Sequence, residues 1–109
     1  MKRYEMIKDK KYFNSIIRNG KFVKDKNFVI YSVESDRDNI PLFGIAIKNS
    51  IGCAVVRNRL KRQTRSIIDK NKNLFKKDRD YIIMIRNECL NLDYNSLNNS
   101  IVALMKGNK

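Results

Sequence analysis

The sequence predicts a small α+β protein, a sandwich of helices on a sheet in the order helix, strand, strand, helix, strand, helix. Its 109 residues are 42% hydrophobic, which suits one core in a single domain covering residues 1–109. Three segments place apolar residues at helical spacing, and three short runs are rich in β-branched and aromatic residues. No internal repeat or Pro- or Ser-rich linker divides the chain.

The first predicted helix follows Asp9, whose side chain can cap it. Arg18 lies in its predicted last turn, and Gly20 is expected just beyond its end. The apolar residues at helical spacing are Tyr12, Phe13, Ile16 and Ile17.

Two strands are predicted next, at 27–33 and 43–48. Because the polar segment 34–39 between them is typical of a turn, we expect the two strands to form an antiparallel pair. Residues of the second strand alternate between two faces, with Phe43, Ile45 and Ile47 on one and Gly44, Ala46 and Lys48 on the other.

The longest helical pattern covers residues 53–75, and the apolar segment 80–86 that follows is typical of a fully buried strand. The strand–helix–strand order predicts that this strand runs parallel to a neighbour. Asp93 can cap a last helix, with Leu92 packing on Leu97. The core-facing residues are expected to be Cys53, Val56, Leu60, Thr64, Ile67, Ile68 and Leu74 on the long helix, and Tyr94, Leu97, Ile101, Leu104 and Met105 on the last.

The charge of the chain indicates a polyanionic partner. Lys and Arg number 24 against 11 Asp and Glu, a formal net charge of +13. No acidic residue lies between Asn39 and Ile68 to pair with the cations of the long helix, most of which fan across the arc opposite its apolar stripe. Arginine dominates this set, and its planar guanidinium suits bidentate phosphate contacts. The set is Arg57, Arg59, Lys61, Arg62 and Arg65.

The composition argues against several classes of protein. No segment approaches the ~20 apolar residues of a membrane span, and the basic N-terminal segment lacks the apolar stretch of a secretory signal. With no histidine and with only Cys53 and Cys89 as cysteines, the chain offers neither a zinc site nor a Ser or Cys triad. We therefore expect a cytoplasmic protein with reduced cysteines and no catalytic or metal-binding residues of its own.

One segment of the long helix resembles the signature of a known family. The run GCAVVRNRLKRQTR at 52–65 resembles the bacterial ribonuclease P protein subunit, in which an Arg-Asn-Arg element opens a basic helix. Phe13 followed by Gly20, the strand at 28–31, Gly44, and the run 80–83 fall in the order of that family. The resemblance implies the small α/β sandwich also found in a domain of a small-subunit ribosomal protein, with a left-handed strand–helix–strand crossover.

The resemblance also implies the function. The protein is expected to be the non-catalytic subunit of an endoribonuclease that removes the 5′ leader of precursor tRNA, while a catalytic RNA performs the chemistry with Mg²⁺ held mainly by that RNA and the substrate. One protein is expected per RNA subunit, with no organic cofactor and no membrane partner.

Two sets of binding residues follow from the resemblance. Contacts with the RNA subunit are implied for Arg57, Asn58, Arg59, Lys61, Arg62 and Arg65. A cleft for the single-stranded leader is implied at Phe13, Ile17, Val29, Tyr31, Ala46, Lys48, Asn58, Lys61 and Arg65. An open face with an aromatic platform and flanking cations is also what single-stranded RNA requires.

The chain departs from the family pattern at Met6, Ile17, Asn49, Ser50 and Cys53. Ile17 stands where the family often has a second aromatic, which predicts weaker stacking there.

Three other functions stay open at this point. The chain is also compatible with a basic ribosomal or ribosome-assembly protein that has no role in tRNA cleavage. A helix-turn-helix DNA-binding module needs two adjacent helices, whereas the basic helix is expected between strands. An autonomous nuclease would need Asp78, Asp80 and Asp93 as Mg²⁺ ligands, although these residues are more simply explained as helix-end and turn residues.

Overall fold

The protein, described here by a computed structural model over residues 6–35 and 41–107, is a mixed four-stranded sheet with helices on both faces. The predicted fold class is confirmed. The strands are β1 (Lys21–Lys24), β2 (Phe28–Glu34), β3 (Phe43–Ile47) and β4 (Arg79–Ile85). The helices are α1 (Lys10–Asn19), α2 (Ala54–Lys70) and α3 (Tyr94–Gly107), with 3₁₀ turns at Lys72–Leu74 and Asn87–Asn91.

The sheet has the order β1-β2-β4-β3. β4 is antiparallel to β2 and parallel to β3, which confirms the predicted parallel neighbour. The predicted antiparallel pairing of the segments 27–33 and 43–48 is wrong, because β4 lies between them. The apolar run of β4 needs cover on both faces, so it takes a central position in the sheet. The turn predicted at 34–39 lies mostly outside the described residues.

β1 was not predicted from the sequence. It is an edge strand of four residues, and lysines occupy both of its ends. A strand this short and this charged gives almost no apolar periodicity, so the sequence does not reveal it. Its lysines hinder unwanted pairing of this edge strand with other chains.

The main core lies on one face of the sheet. Phe28, Phe43 and Ile83 are fully buried there, and α2 and α3 cover them with Leu60, Ile67, Ile68, Leu97, Ile101 and Met105. The predicted core-facing residues of α3 are confirmed, with Tyr94 and Leu104 partly buried. Among the residues of the long helix that were expected to face the core, Cys53 is an exception. It precedes α2 as its N-cap residue and is exposed.

α1 packs on the opposite face of the sheet. Asp9 caps it as predicted, since its Oδ1 accepts from the Lys11 N–H at 2.9 Å. Ile16 and Ile82 are fully buried between helix and sheet. A Cβ atom at Gly44 would lie 2.5 Å from Cε2 of Phe13, so glycine is what allows the Phe13 ring to lie directly on β3.

Asp80 is a structural residue at the same interface. Its buried carboxylate accepts the Leu42 N–H at 2.9 Å and the Tyr12 hydroxyl. Asp80 therefore ties α1 and the start of β3 to the central strand, which corrects its interpretation as a turn residue.

None of the described helices combines the length and apolarity that crossing a bilayer demands.

The two cysteines are predicted to differ strongly in reactivity. The nearby backbone N–H groups of Val56 and Val55, at the start of α2, lower the pKa of the exposed Cys53 thiol. Burial raises the pKa of Cys89 to about 11, and its thiol donates to the Asn27 carbonyl oxygen at 3.1 Å. In iodoacetamide at pH 8 we expect mass spectrometry to find Cys53 alkylated first and Cys89 only after unfolding. Equal labelling rates in the native protein would contradict this assignment.

Candidate RNA-binding site

The α2 ridge, which we define as Arg59, Arg62 and Arg65, is a row of exposed arginines on one face of α2. The buried residues Leu60, Thr64, Ile67 and Ile68 fix the orientation of the helix. At 100° per residue Arg62 lies directly opposite that buried stripe, with Arg59 and Arg65 on either side of it. Asn58 is exposed on the same side, between Arg62 and Arg65 in angle.

No acidic side chain among the described residues neutralises the charge of the α2 ridge. In the part of the chain that the structure describes, the salt bridges join Lys72 to Asp69 at 3.5 Å and Arg79 to Glu34 at 4.0 Å, and neither involves the ridge. The first turn of α2 also contains no acidic residue. Like charges this close repel one another, so a polyanion bound along the ridge would relieve that repulsion.

Arg57 differs from the ridge arginines. Its Nη1 donates to the carbonyl oxygens of Asn49 and Gly52, each at 2.8 Å, so it holds the loop between β3 and α2. Gly52 has a φ of 62° in this loop, which favours glycine. Arg57, Lys61 and Arg65 are spaced four residues apart, so they form a row along one flank of α2, and Arg57 is its member in contact with this loop.

The floor of the predicted leader cleft is the sheet face on which α1 packs. We call this the leader face. Strand register aligns Val29 with Met84 and Met84 with Ala46, and all three are half-buried. The neighbouring row aligns Tyr31, Ile82 and Gly44. The Phe13 ring covers the Gly44 end of that second row, whereas Tyr31 stays partly exposed.

The structure brings most of the predicted cleft residues together. Val29, Tyr31 and Ala46 lie on the leader face, and Phe13 and Ile17 lie four residues apart on α1, which covers part of it. Lys48 is exposed just beyond the end of β3. Asn58, Lys61 and Arg65 are on α2, which follows β3 in the chain and packs on the opposite face of the sheet from α1.

Three residues of this face were not predicted. Met84 alternates with the buried Ile82, but the segment 80–86 was expected to be buried on both faces. Phe22 and Lys24 lie on β1, in register with Tyr31 and Val29. No alternating pattern in Lys21–Lys24 could have identified them, because the adjacent apolar residues Phe22 and Val23 project from opposite faces.

Comparison with known proteins identifies the family. The family model described as Ribonuclease P matches residues 1–108 of the chain. The chain belongs to the ribonuclease P protein family. The ribonuclease P protein component of Bacillus cereus strain AH187 is 30% identical over 106 residues, which cover 97% of this chain and 92% of that relative.

Solved structures of ribonuclease P proteins share this fold. The protein from Thermotoga maritima superposes with a TM-score of 0.85 at 26% identity, over 96% of this chain and 98% of that one. The protein from Staphylococcus aureus gives a TM-score of 0.86 at 26% identity, over 96% and 95% of the two chains.

These similarities favour a ribonuclease P protein over a ribosomal or ribosome-assembly protein. The chain is the protein component of ribonuclease P, the endoribonuclease that processes the 5′ end of tRNA, and as such it associates with the ribonuclease P RNA.

Proposed function

We propose that the protein serves ribonuclease P through two surfaces. The α2 ridge, with Arg57, Asn58 and Lys61 beside it, binds the RNA subunit, and the leader face binds the single-stranded 5′ leader of precursor tRNA. The observation that carries the proposal is the set of exposed arginines on α2, which form no salt bridge within the described residues, together with a half-buried apolar face on the same small sheet.

The leader face suits unpaired nucleotides. Tyr31 and Phe13 offer aromatic rings for stacking, and Val29, Met84 and Ala46 form a shallow floor that a base can approach. Lys48, Lys61 and Arg65 supply cations for the phosphates at the β3 edge. Base–aromatic stacking contributes about 1–3 kcal/mol per base.

Leader binding by this surface would distinguish substrate from product. Precursor tRNA carries the leader and mature tRNA does not, so every contact with the leader is lost once the phosphodiester bond is cleaved. The protein thus increases affinity for the precursor and leaves the product free to dissociate.

The hydrolysis itself is assigned to the RNA subunit. We propose that Mg²⁺, held mainly by the RNA and the substrate, activates water and stabilises the developing charge. Two of the three aspartates that an autonomous nuclease would need do not fit a protein-bound metal: Asp80 is buried and hydrogen-bonded, and Asp93 accepts the Ser96 N–H at 2.8 Å as a helix cap, which lowers its pKa. Across residues 6–35 and 41–107, no three His, Cys, Asp or Glu side chains cluster closely enough for a metal.

We propose that the protein acts in the cytoplasm and that one copy binds each RNA subunit.

Reconstitution tests the proposal. The purified chain is added to a bacterial ribonuclease P RNA and a precursor tRNA at low Mg²⁺, where the RNA alone cleaves poorly. We expect faster cleavage and tighter binding of the precursor than of a tRNA without a leader. The protein alone is expected to cleave nothing. No gain in cleavage would overturn the proposal, and robust cleavage by the protein without RNA would favour an autonomous nuclease.

A further inference from the structure

The edge strand β1 presents an aromatic side chain to solvent. Phe22 is 56% exposed, and within the described residues only Val55 is a more exposed large hydrophobic side chain. Val23 packs against the main core on the opposite side of the sheet. Since side chains alternate along a strand, Phe22 and Lys24 both project from the leader face.

Phe22 continues an aromatic row that starts at Tyr31. The two residues are register partners, and their ring centroids lie 5.9 Å apart at an interplanar angle of 49°. Lys24, the register partner of Val29, places its Nζ 6.0 Å from the Phe22 centroid. The β1 edge of the leader face thus combines an exposed aromatic ring with an exposed ammonium group, the two groups that bind a base and its phosphate.

The position of this pair defines its place along the leader. The sheet order β1-β2-β4-β3 places β1 at the edge opposite β3, where Lys48 and the start of α2 lie. A strand of RNA that enters at the β3 edge crosses Ala46, Met84 and Val29 or Tyr31 before it reaches β1. Because strands are about 4.8 Å apart, the path across four strands is roughly 15 Å long, enough for more than one nucleotide.

We propose that Phe22 and Lys24 form an additional leader-binding site, at which Phe22 stacks on a base one position farther from α2 than the base over Tyr31 and Lys24 contacts its phosphate. This inference rests on the proposed function and extends it to β1. Stacking on Phe22 does not read base identity, because every base has a π-face. The site therefore measures leader length rather than leader sequence.

The local charge favours RNA as the occupant. Lys24 and Lys26 are exposed at the end of β1 and just beyond it, and Asp25, which lies between them, is engaged by the backbone N–H groups of Asn27 and Phe28 at 2.8 Å. An apolar protein partner would leave these ammonium groups desolvated, whereas phosphates neutralise them.

The test measures the affinity of the reconstituted holoenzyme for precursor tRNAs with leaders of one, two, four, six and eight nucleotides. We expect Phe22→Ala to weaken binding about 5- to 10-fold for long leaders and not at all for the shortest, on the scale of one lost stacked base. Phe22→Tyr keeps the ring and should restore affinity, whereas Phe22→Leu keeps apolar bulk and should not. Changing the identity of the leader base that stacks on Phe22 should not alter the loss of affinity caused by Phe22→Ala.

Lys24→Ala has a matched control on the same strand. Lys21→Ala removes the same charge from the opposite face of β1. We expect Lys24→Ala to weaken binding of long leaders and to reduce its salt dependence, while Lys21→Ala has little effect.

The outcomes separate this site from the proposed function. If wild-type holoenzyme binds precursor and leaderless tRNA equally, the proposed function fails. If the wild-type holoenzyme prefers long leaders and the Phe22→Ala holoenzyme binds those long leaders as tightly as the wild type does, the β1 site is overturned. A loss of the same size at every leader length would indicate a structural role for Phe22 and would also overturn it.

Discussion

The triple variant Arg59→Ala, Arg62→Ala, Arg65→Ala is expected to bind the ribonuclease P RNA about 100-fold more weakly than the wild type at 0.15 M salt. Each arginine that neutralises a phosphate releases condensed counterions, and at this salt concentration each such contact contributes roughly 4- to 5-fold in affinity. The same loss should lower the log–log slope of affinity against salt by about 2 to 3.

The fold should survive these three substitutions. All three side chains are exposed, and in the described ranges none of them forms a salt bridge or a side-chain hydrogen bond. Their removal relieves repulsion among like charges on α2, so the thermal unfolding midpoint should be unchanged or slightly higher. Arg57 is excluded from the variant because its guanidinium holds the loop carbonyls of Asn49 and Gly52.

A matched control separates the α2 ridge from net charge alone. Lys21→Ala, Lys76→Ala and Lys106→Ala together remove three positive charges from exposed positions outside α2. Filter binding or fluorescence anisotropy over a range of salt concentrations compares the two triple variants. If the lysine variant loses as much affinity as the arginine variant, the RNA responds to total charge and the ridge is not its binding surface.

The starts of α1 and α3 were predictable from the sequence because their signals are local, whereas the helical pattern predicted over 53–75 ends at Lys70. Asp9 and Asp93 cap α1 and α3 by accepting backbone N–H groups two or three residues ahead, within a single turn of chain. The α2 ridge was predictable for the same reason. Helical geometry fixes which residues oppose a buried stripe, whatever the stripe packs against.

The sheet order was not predictable from local signals. β4 separates β2 from β3 although it lies more than thirty residues beyond them in the chain. Met84, Phe22 and Lys24 line the leader face only because of that order and the strand register. The contact of Arg57 with the loop likewise depends on the left-handed backbone at Gly52, which no periodic pattern indicates.

Gly20→Ala is expected to reduce the free energy of unfolding by about 2–3 kcal/mol, which corresponds to a fall in midpoint of roughly 10–20 °C. The backbone of Gly20 has an ordinary φ of −75°, so the requirement is for space rather than for a left-handed conformation. A Cβ atom there would lie 2.5 Å from the Ile16 carbonyl oxygen and 2.8 Å from that of Ser32. Both obstacles are backbone atoms, so a side-chain rotation cannot relieve them.

The cost of Gly20→Ala falls on the contact between α1 and β2. The Gly20 N–H donates to the Ile16 carbonyl oxygen at 2.8 Å. Moving Gly20 away from the carbonyl oxygens of Ile16 and Ser32 therefore also breaks the last hydrogen bond of α1. Because α1 carries Phe13 and Ile17, leader binding should weaken even where the variant is still folded, while the α2 ridge on the other side of the sheet still binds the RNA subunit.

Gly107→Ala provides the control for Gly20→Ala. Apart from its own helix backbone and chain neighbours, no atom of the described residues lies within 4 Å of a Cβ placed at Gly107, and alanine is the better helix former, so the midpoint of Gly107→Ala should match or slightly exceed that of the wild type. Thermal unfolding followed by circular dichroism compares the three proteins. If Gly20→Ala unfolds within about two degrees of the wild type, α1 can move away from β2 at little cost, and the wall it provides for the leader face is not rigid.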